Sequence, residues 1–129
     1  MTGASSGIGR AIAETFGGQG ATVLLTHRAS PARASEVAEA IAGRGGRALV
    51  AQADLGTREA CESLVAQARD ELGRLDVWVN NAGADVLTGE AAAWEWERKL
   101  DALLAVDLKG RSPARTPPPR SCVPRSATG

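Results

Sequence analysis

The sequence predicts an α/β fold built on a mostly parallel sheet. Three observations carry that expectation. Short apolar extended runs alternate with segments of helical periodicity from Gly7 to about residue 105. A glycine-rich stretch, TGASSGIG (2–9), opens directly onto the first helical pattern. The extended runs are apolar on both faces, as expected of parallel strands covered by helices on two sides.

Each element has its own justification. Ile8, Ala11, Ile12 and Phe16 lie at helical spacing, and GGQG ends that segment. ATVLLT (21–26) reads as a strand. Pro31 stands where a first helical turn tolerates it, and Ala34, Val37, Ala38 and Ile41 form the apolar stripe that follows, closed by GRGG (43–46). ALVAQA (48–53) is a second strand. Thr57 caps a helix whose stripe is Cys61, Leu64, Val65, Ala68 and Leu72, and Gly73 closes it. LDVWVN (75–80) reads as a third strand, and a loop with Gly83 and Gly89 leads to a helix around 94–105. Trp94 and Trp96 are two apart and cannot share one helix face, so one of them is expected to be exposed.

The pattern breaks after Gly110. The segment 111–129 holds five of the six prolines, including Pro117 to Pro119 in a row, and four arginines with no acid. Proline removes backbone donors and blocks helix. The tail also has few large apolar groups to offset ordering entropy, so it is expected to be disordered. Two units follow: a domain over 1–110 and a Pro/Arg-rich tail over 111–129.

Composition narrows the function classes. The 129 residues carry no net formal charge, because fifteen acidic side chains balance fifteen Lys and Arg. The tail arginines Arg111, Arg115, Arg120 and Arg125 lack interleaved aromatics, which makes a poor nucleic-acid footprint. No stretch approaches the roughly 18 apolar residues of a membrane span. Cys61 and Cys122 form no paired motif, and a reducing cytoplasm suits them better than a disulfide framework. His27 is the only histidine; it reads as an exposed loop residue, and nothing near it has metal-site spacing.

The glycines Gly3, Gly7 and Gly9 are spaced as GxxxGxG. Such a loop lets the chain approach a pyrophosphate, while the following helix offers free N–H groups and a partial positive charge. TGASSGIG (2–9), together with ADL (53–55), NNAG (80–83) and VDLKG (106–110), resembles the short-chain dehydrogenase/reductase family over residues 1–110. The resemblance implies a partial Rossmann-like, doubly wound parallel sheet. It would lack its first, central strand and its C-terminal half. It implies an oxidoreductase that moves hydride between a nicotinamide and a carbonyl or alcohol carbon of a small molecule. It places Gly3, Ser5, Gly7, Ile8 and Gly9 around the pyrophosphate and adenosine ribose, and Asp54 and Leu55 at the adenine. Asn80, Ala82 and Gly83 fall on the nicotinamide-ribose side; Asn80 has a second reading, as a hydrogen-bonded link between strands. Family members are usually oligomers, so a homo-oligomer is open.

Cofactor choice rests on the end of the strand at 21–26. A carboxylate there would accept from the ribose 2′-hydroxyl. This chain has Thr26, His27 and Arg28 instead. Arg28 suits a 2′-phosphate, which favours NADP over NAD, unless it is simply a solvated loop cation.

The family's acid–base group is a tyrosine beside a lysine. This chain has no tyrosine, its only lysines are Lys99 and Lys109, and Asp107 stands at the family's asparagine position. Asp107 is either a residual catalytic position or a helix-end residue facing solvent. The motif at the very start and the foreign tail lead to the expectation of a truncated, inactive product of a decayed or frameshifted gene, or a non-catalytic dinucleotide-binding fragment. Loss of the central strand would orphan several backbone groups at about 1–3 kcal/mol each.

Overall fold

The computed structural model describes residues 1–111. The predicted disorder, Cys122 and the other tail features lie outside them, apart from Arg111. In chain order the elements are α1 (Gly7–Gly18), β1 (Thr22–His27), α2 (Pro31–Ala42), β2 (Arg47–Gln52), α3 (Arg58–Leu72) and α4 (Trp96–Leu103). A 3₁₀ turn over Gly89–Ala93 precedes α4; a π turn (Leu104–Leu108) and a 3₁₀ turn (Lys109–Arg111) extend it. Among the described residues no helix is long and apolar enough to cross a membrane.

β1 and β2 run parallel in a continuous register from Thr22 opposite Arg47 to His27 opposite Gln52. The crossover between them is α2, which starts at Pro31 and buries Ala34, Val37 and Ile41, three of the four residues of the expected stripe. Side chains alternate across a strand. Val23 and Leu25 therefore join Ala13, Val37 and Ile41 in one core, under α1 and α2. Leu24 and Ala51 face the other way and join Cys61, Leu64 and Ala68 of α3. The result is a sheet clad by helices on both faces, as the two-sided apolar strands require.

α3 starts and stops where its signals stand. The Thr57 side chain accepts from the Ala60 N–H at 3.3 Å. Gly73 takes φ 65° and donates its N–H to the Arg69 carbonyl at 2.9 Å. Cys61 is buried on the inner face, and its thiol approaches the carbonyls of Leu55 at 3.6 Å and Gly110 at 3.5 Å. Burial, and after it the negative charges of Asp54 and Glu62, push its pKa above the usual 9.0. A thiol that ionises later in the folded chain stabilises the fold below its unfolded pKa, and that contribution is lost as pH rises past about 9. In a Cys122→Ser background, Cys61 is expected to react with a thiol reagent more slowly than free cysteine. Unfolding should restore the ordinary rate, followed by absorbance.

Three expectations differ from the structure. The buried face of α1 is Gly9, Ala13 and Gly17, whereas Ile8 is 74% exposed and Phe16 39%. Small residues win because α1 packs too close for large ones: a Cβ on Gly17 would stand 2.9 Å from Ile41 Cγ1. Second, residues 75–80 form no strand. An apolar extended run becomes a strand only beside a ladder partner, and among the described residues one backbone bond, Thr2 N–H to the Val79 carbonyl at 3.0 Å, joins it to the rest. A cleft of about 330 Å³ lies between this run and β1, lined by Phe16, Leu24, Leu64, Leu72 and Trp78 among others. Third, the strand-edge groups of β1 expected to be orphaned are partly bonded by the first four residues. Met1 accepts from Thr26 N–H at 3.1 Å, its amino group donates to the Leu24 carbonyl at 2.8 Å, and Ala4 N–H donates to the Thr26 carbonyl at 3.2 Å. Residues 1–4 thus bond to β1 on one side and to Val79 and Asn81 on the other.

Of the paired tryptophans, Trp96 is the exposed one, at 67%. Trp94 is half-buried under the Arg98 guanidinium, 3.9 Å from the ring centre.

Candidate nucleotide-binding site

A cleft of about 470 Å³ opens at the carboxyl ends of β1 and β2. Its floor is the glycine loop. Gly3 and Gly7 have φ of 63° and 54°, a region costly for residues with a side chain. A Cβ on Gly3 would lie 2.8 Å from Ala82 Cα, so glycine is required where the loop meets the 80–83 turn. A Cβ on Gly7 would meet nothing within 4 Å, so its surface is open.

The loop delivers the N-terminus of α1. Ser6 stands at the N-cap with extended backbone and makes no side-chain capping bond, and no acid lies in the first turn. A helix start carries four N–H groups without intrahelical partners and a partial positive charge. An uncapped start beside an open glycine is a cradle for an anionic group.

Two walls complete the cleft. One is the end of β1 with the turn after it: Thr26, His27, Arg28, Ala29 and Ser30. The other comprises Ala53, Asp54 and Leu55 after β2, with Asn81, Ala82 and Gly83 opposite. Asp54 keeps its side chain at the surface and accepts from Gly56 N–H at 3.0 Å, which fixes the carboxylate at the rim. Asp85 also lines the cleft and is itself exposed. Bonds from the Thr88 hydroxyl, then from the Leu87 and Thr88 N–H groups, hold its pKa below the usual 3.8.

Most residues singled out from the sequence meet here: Gly3, Ser5, Ile8, Gly9, Arg28, Asp54, Leu55, Ala82 and Gly83 all line the cleft. Gly7 shapes the loop without lining it. Asn80 does not line it either; it is exposed, and its Oδ1 accepts from Trp78 Nε1 at 2.8 Å. The linking role offered for Asn80 is taken by its neighbour. Asn81 Nδ2 donates to the carbonyls of Thr2 at 3.3 Å and Gly3 at 2.9 Å, and Asn81 N–H donates to Thr2 Oγ1 at 3.0 Å. Within an NN doublet nothing in the sequence says which residue points inward.

Asp107 is half-buried rather than solvent-facing. Its Oδ2 accepts from Ala84 N–H at 3.2 Å, and it abuts Gly83, whose Cβ would lie 3.0 Å from Oδ1. It therefore ties the helix after α4 to the loop that borders the cleft.

His27 is the largest departure. Expected as an exposed loop residue, it is 7% exposed. β1 runs one residue further than the apolar pattern suggests, and its carbonyl accepts from Ala53 N–H at 3.0 Å. Its side chain is thereby fixed as a strand side chain at the mouth of the cleft. Its Nδ1 is sealed from water and has no hydrogen-bond partner among the described residues.

A parallel sheet with helices on both faces and a glycine cradle at its carboxyl edge defines a Rossmann-like α/β domain. The model of the short chain dehydrogenase family matches residues 1–111. The chain belongs to that family of oxidoreductases. Among curated relatives it is 36% identical over 104 residues to glucose 1-dehydrogenase 2 of Bacillus subtilis and 37% identical over 103 residues to 3beta-hydroxysteroid dehydrogenase 1 of Eggerthella lenta. Each match covers 78% of this chain and 40% of the relative, so the chain spans well under half their length. A crystal structure of a metagenomic short-chain oxidoreductase in complex with NADP superposes with a TM-score of 0.75 at 38% identity, over 86% of this chain and 49% of that one. A short-chain dehydrogenase/reductase of Serratia marcescens gives 0.74 at 38%, over 84% and 44%.

Proposed function

We propose that this chain is the dinucleotide-binding portion of a short-chain oxidoreductase acting on a small carbonyl or alcohol, and that it binds NADP in preference to NAD. The observation that carries this reading is the uncapped start of α1 beside the open, positive-φ Gly7. The walls fit the group. Gly3, Ser5, Gly9 and the first turn of α1 would hold the pyrophosphate. Arg28 sits at the rim for a 2′-phosphate, Asp54 and Leu55 bound the adenine side, and Ala82 and Gly83 bound the nicotinamide-ribose side. Bound NADP would supply hydride chemistry; these residues bind and orient it.

A second reading concerns turnover. The 129 residues contain no tyrosine, and general acid–base groups typically contribute about 10²–10⁴-fold to rate. On their own these residues bind the dinucleotide without turning it over. Calorimetric titration tests both: NADPH is expected to bind about tenfold or more tighter than NADH, a difference of about 1.4 kcal/mol. NADPH absorbance with a panel of carbonyl compounds is expected to stay flat. Equal affinity would refute the preference, no binding would refute the site, and steady oxidation would refute the second reading.

A further inference from the structure

We propose that the cleft of about 330 Å³ between β1 and the 75–80 run accepts the C-terminal end of an extended apolar peptide from another protein, held as an added parallel strand.

The backbone bonds already made set the pattern. β1 turns its odd-numbered residues toward β2, as the bond from Ala53 N–H to the His27 carbonyl at 3.0 Å shows. Backbone groups alternate in direction along a strand, so its even-numbered residues face the other edge. There the Leu24 carbonyl accepts from the Met1 amine at 2.8 Å, and the Thr26 N–H and carbonyl bond to Met1 and Ala4. Leu24 N–H and the Thr22 carbonyl come next along the same edge, and among the described residues neither has a partner. They stand to an incoming residue as Thr26 N–H and the Leu24 carbonyl stand to Met1. The opposite wall repeats the arrangement. The Val79 carbonyl accepts from Thr2 N–H at 3.0 Å; two residues back, Val77 lines the cleft and makes no backbone bond among the described residues. Successive residues of an occupant would therefore bond to alternate walls, and about three of them fill the free length of β1 at roughly 3.3 Å per residue.

The walls also fix the chemistry of the occupant. Phe16 and Val23 line the cleft from the layer of α1, and Leu64, Ala68 and Trp78 line it from the layer of α3. An occupant therefore needs apolar side chains on both faces, and a proline would remove a donor that the Thr22 carbonyl needs. The chain's own end, Arg125 to Gly129, offers a single apolar residue, Ala127, and does not meet that demand. Direction follows from charge. The Met1 amine stands where the existing ladder meets the cleft. Burial lowers its pKa from 8.0 to about 6, with no neighbouring anion to oppose the shift. A peptide carboxylate beside it would favour the ammonium form; a peptide lying the other way would bring a second amine.

The test titrates the 129-residue chain into the peptide fluorescein-Lys-Ser-Val-Ile-Val-Val and follows fluorescence anisotropy. A saturable one-to-one rise is expected. Amidation of the peptide's C-terminus is expected to weaken binding about tenfold, and proline in place of its isoleucine about tenfold or more. Hydrogen exchange supplies the readout that simple hydrophobic adhesion would not move: the Leu24 amide should exchange more slowly with the peptide bound. Absence of binding, equal affinity of the three peptides, or binding that leaves Leu24 exchange unchanged would each overturn the proposal. Sedimentation of the free chain as a dimer, with Leu24 already protected, would assign the cleft to a second copy and overturn it as well.

Discussion

Gly9→Ala is expected to destabilise the domain by about 1–3 kcal/mol and to abolish measurable nucleotide binding, because the added methyl has nowhere to go. Gly9 is buried on the inner face of α1. A Cβ there would collide with the Gly3 carbonyl oxygen and the Asn81 side-chain amide, with the Gly3 carbonyl carbon at 3.1 Å. Two of those three obstacles are backbone, so no rotamer change relieves the contact. The helix must lift or the loop must shift, and both movements deform the cradle. Gly7→Ala is the internal control. Its Cβ would meet nothing within 4 Å, so the cost is the left-handed backbone at φ 54°, about 1–2 kcal/mol. That methyl projects into open space, so the variant is expected to spare the packing that Gly9→Ala disrupts. Denaturant unfolding with calorimetry on both variants separates the effects. If Gly9→Ala unfolds at the wild-type midpoint, the close approach of α1 to the loop is wrong.

The same close approach explains how legible this fold was. α2 and α3 were legible because each carries large apolar groups on one face and an ordinary start or stop: Pro31 in one, Thr57 and Gly73 in the other. The parallel strands were legible because Val23, Leu24 and Leu25 leave no polar face. α1 was placed correctly but rotated, since hydrophobic periodicity assigns Ile8 and Phe16 to the core, whereas glycine and alanine let backbones touch. The run 75–80 has strand composition, but strand character is a property of two chains in register, and composition cannot show the partner. His27 failed for a related reason. A strand that ends on a polar residue looks one residue short, and the last side chain is then misread as loop. The glycine loop, Asp54 and Ala82–Gly83 were found through a motif, and the structure brings them to one cleft. What the motif did not carry is orientation: which of Asn80 and Asn81 turns inward.

Thr2→Val is expected to cost about 2–6 kcal/mol, a large share of the roughly 5–15 kcal/mol that holds a typical domain together. Thr2 is 2% exposed, and its hydroxyl makes three contacts. It donates to the Val79 carbonyl at 3.3 Å and accepts from the N–H groups of Asn81 at 3.0 Å and Ala82 at 3.1 Å. Valine fills nearly the same volume, so packing is preserved and the change isolates the hydrogen bonds. The Val79 carbonyl keeps its bond from the Thr2 N–H at 3.0 Å, so the cost falls on the two amides, which lose their acceptor in a partly buried place. Thr2→Ser keeps the hydroxyl and should recover most of the loss. Hydrogen exchange localises the effect: the amides of Asn81 and Ala82 should exchange faster in the valine variant, while those of β2 follow only the global stability. Because Asn81, Ala82 and Gly83 line the cleft, nucleotide affinity should fall with the loss of protection even in buffer where the variant is fully folded. Equal stability of the valine and serine variants would mean that this side-chain knot does not hold the 75–83 run against the sheet. Cohesion would then rest on the backbone bond from Thr2, on the Asn81 side chain, which bonds to the carbonyls of both Thr2 and Gly3, and on the packing of Trp78 and Ala82 against the core under α3.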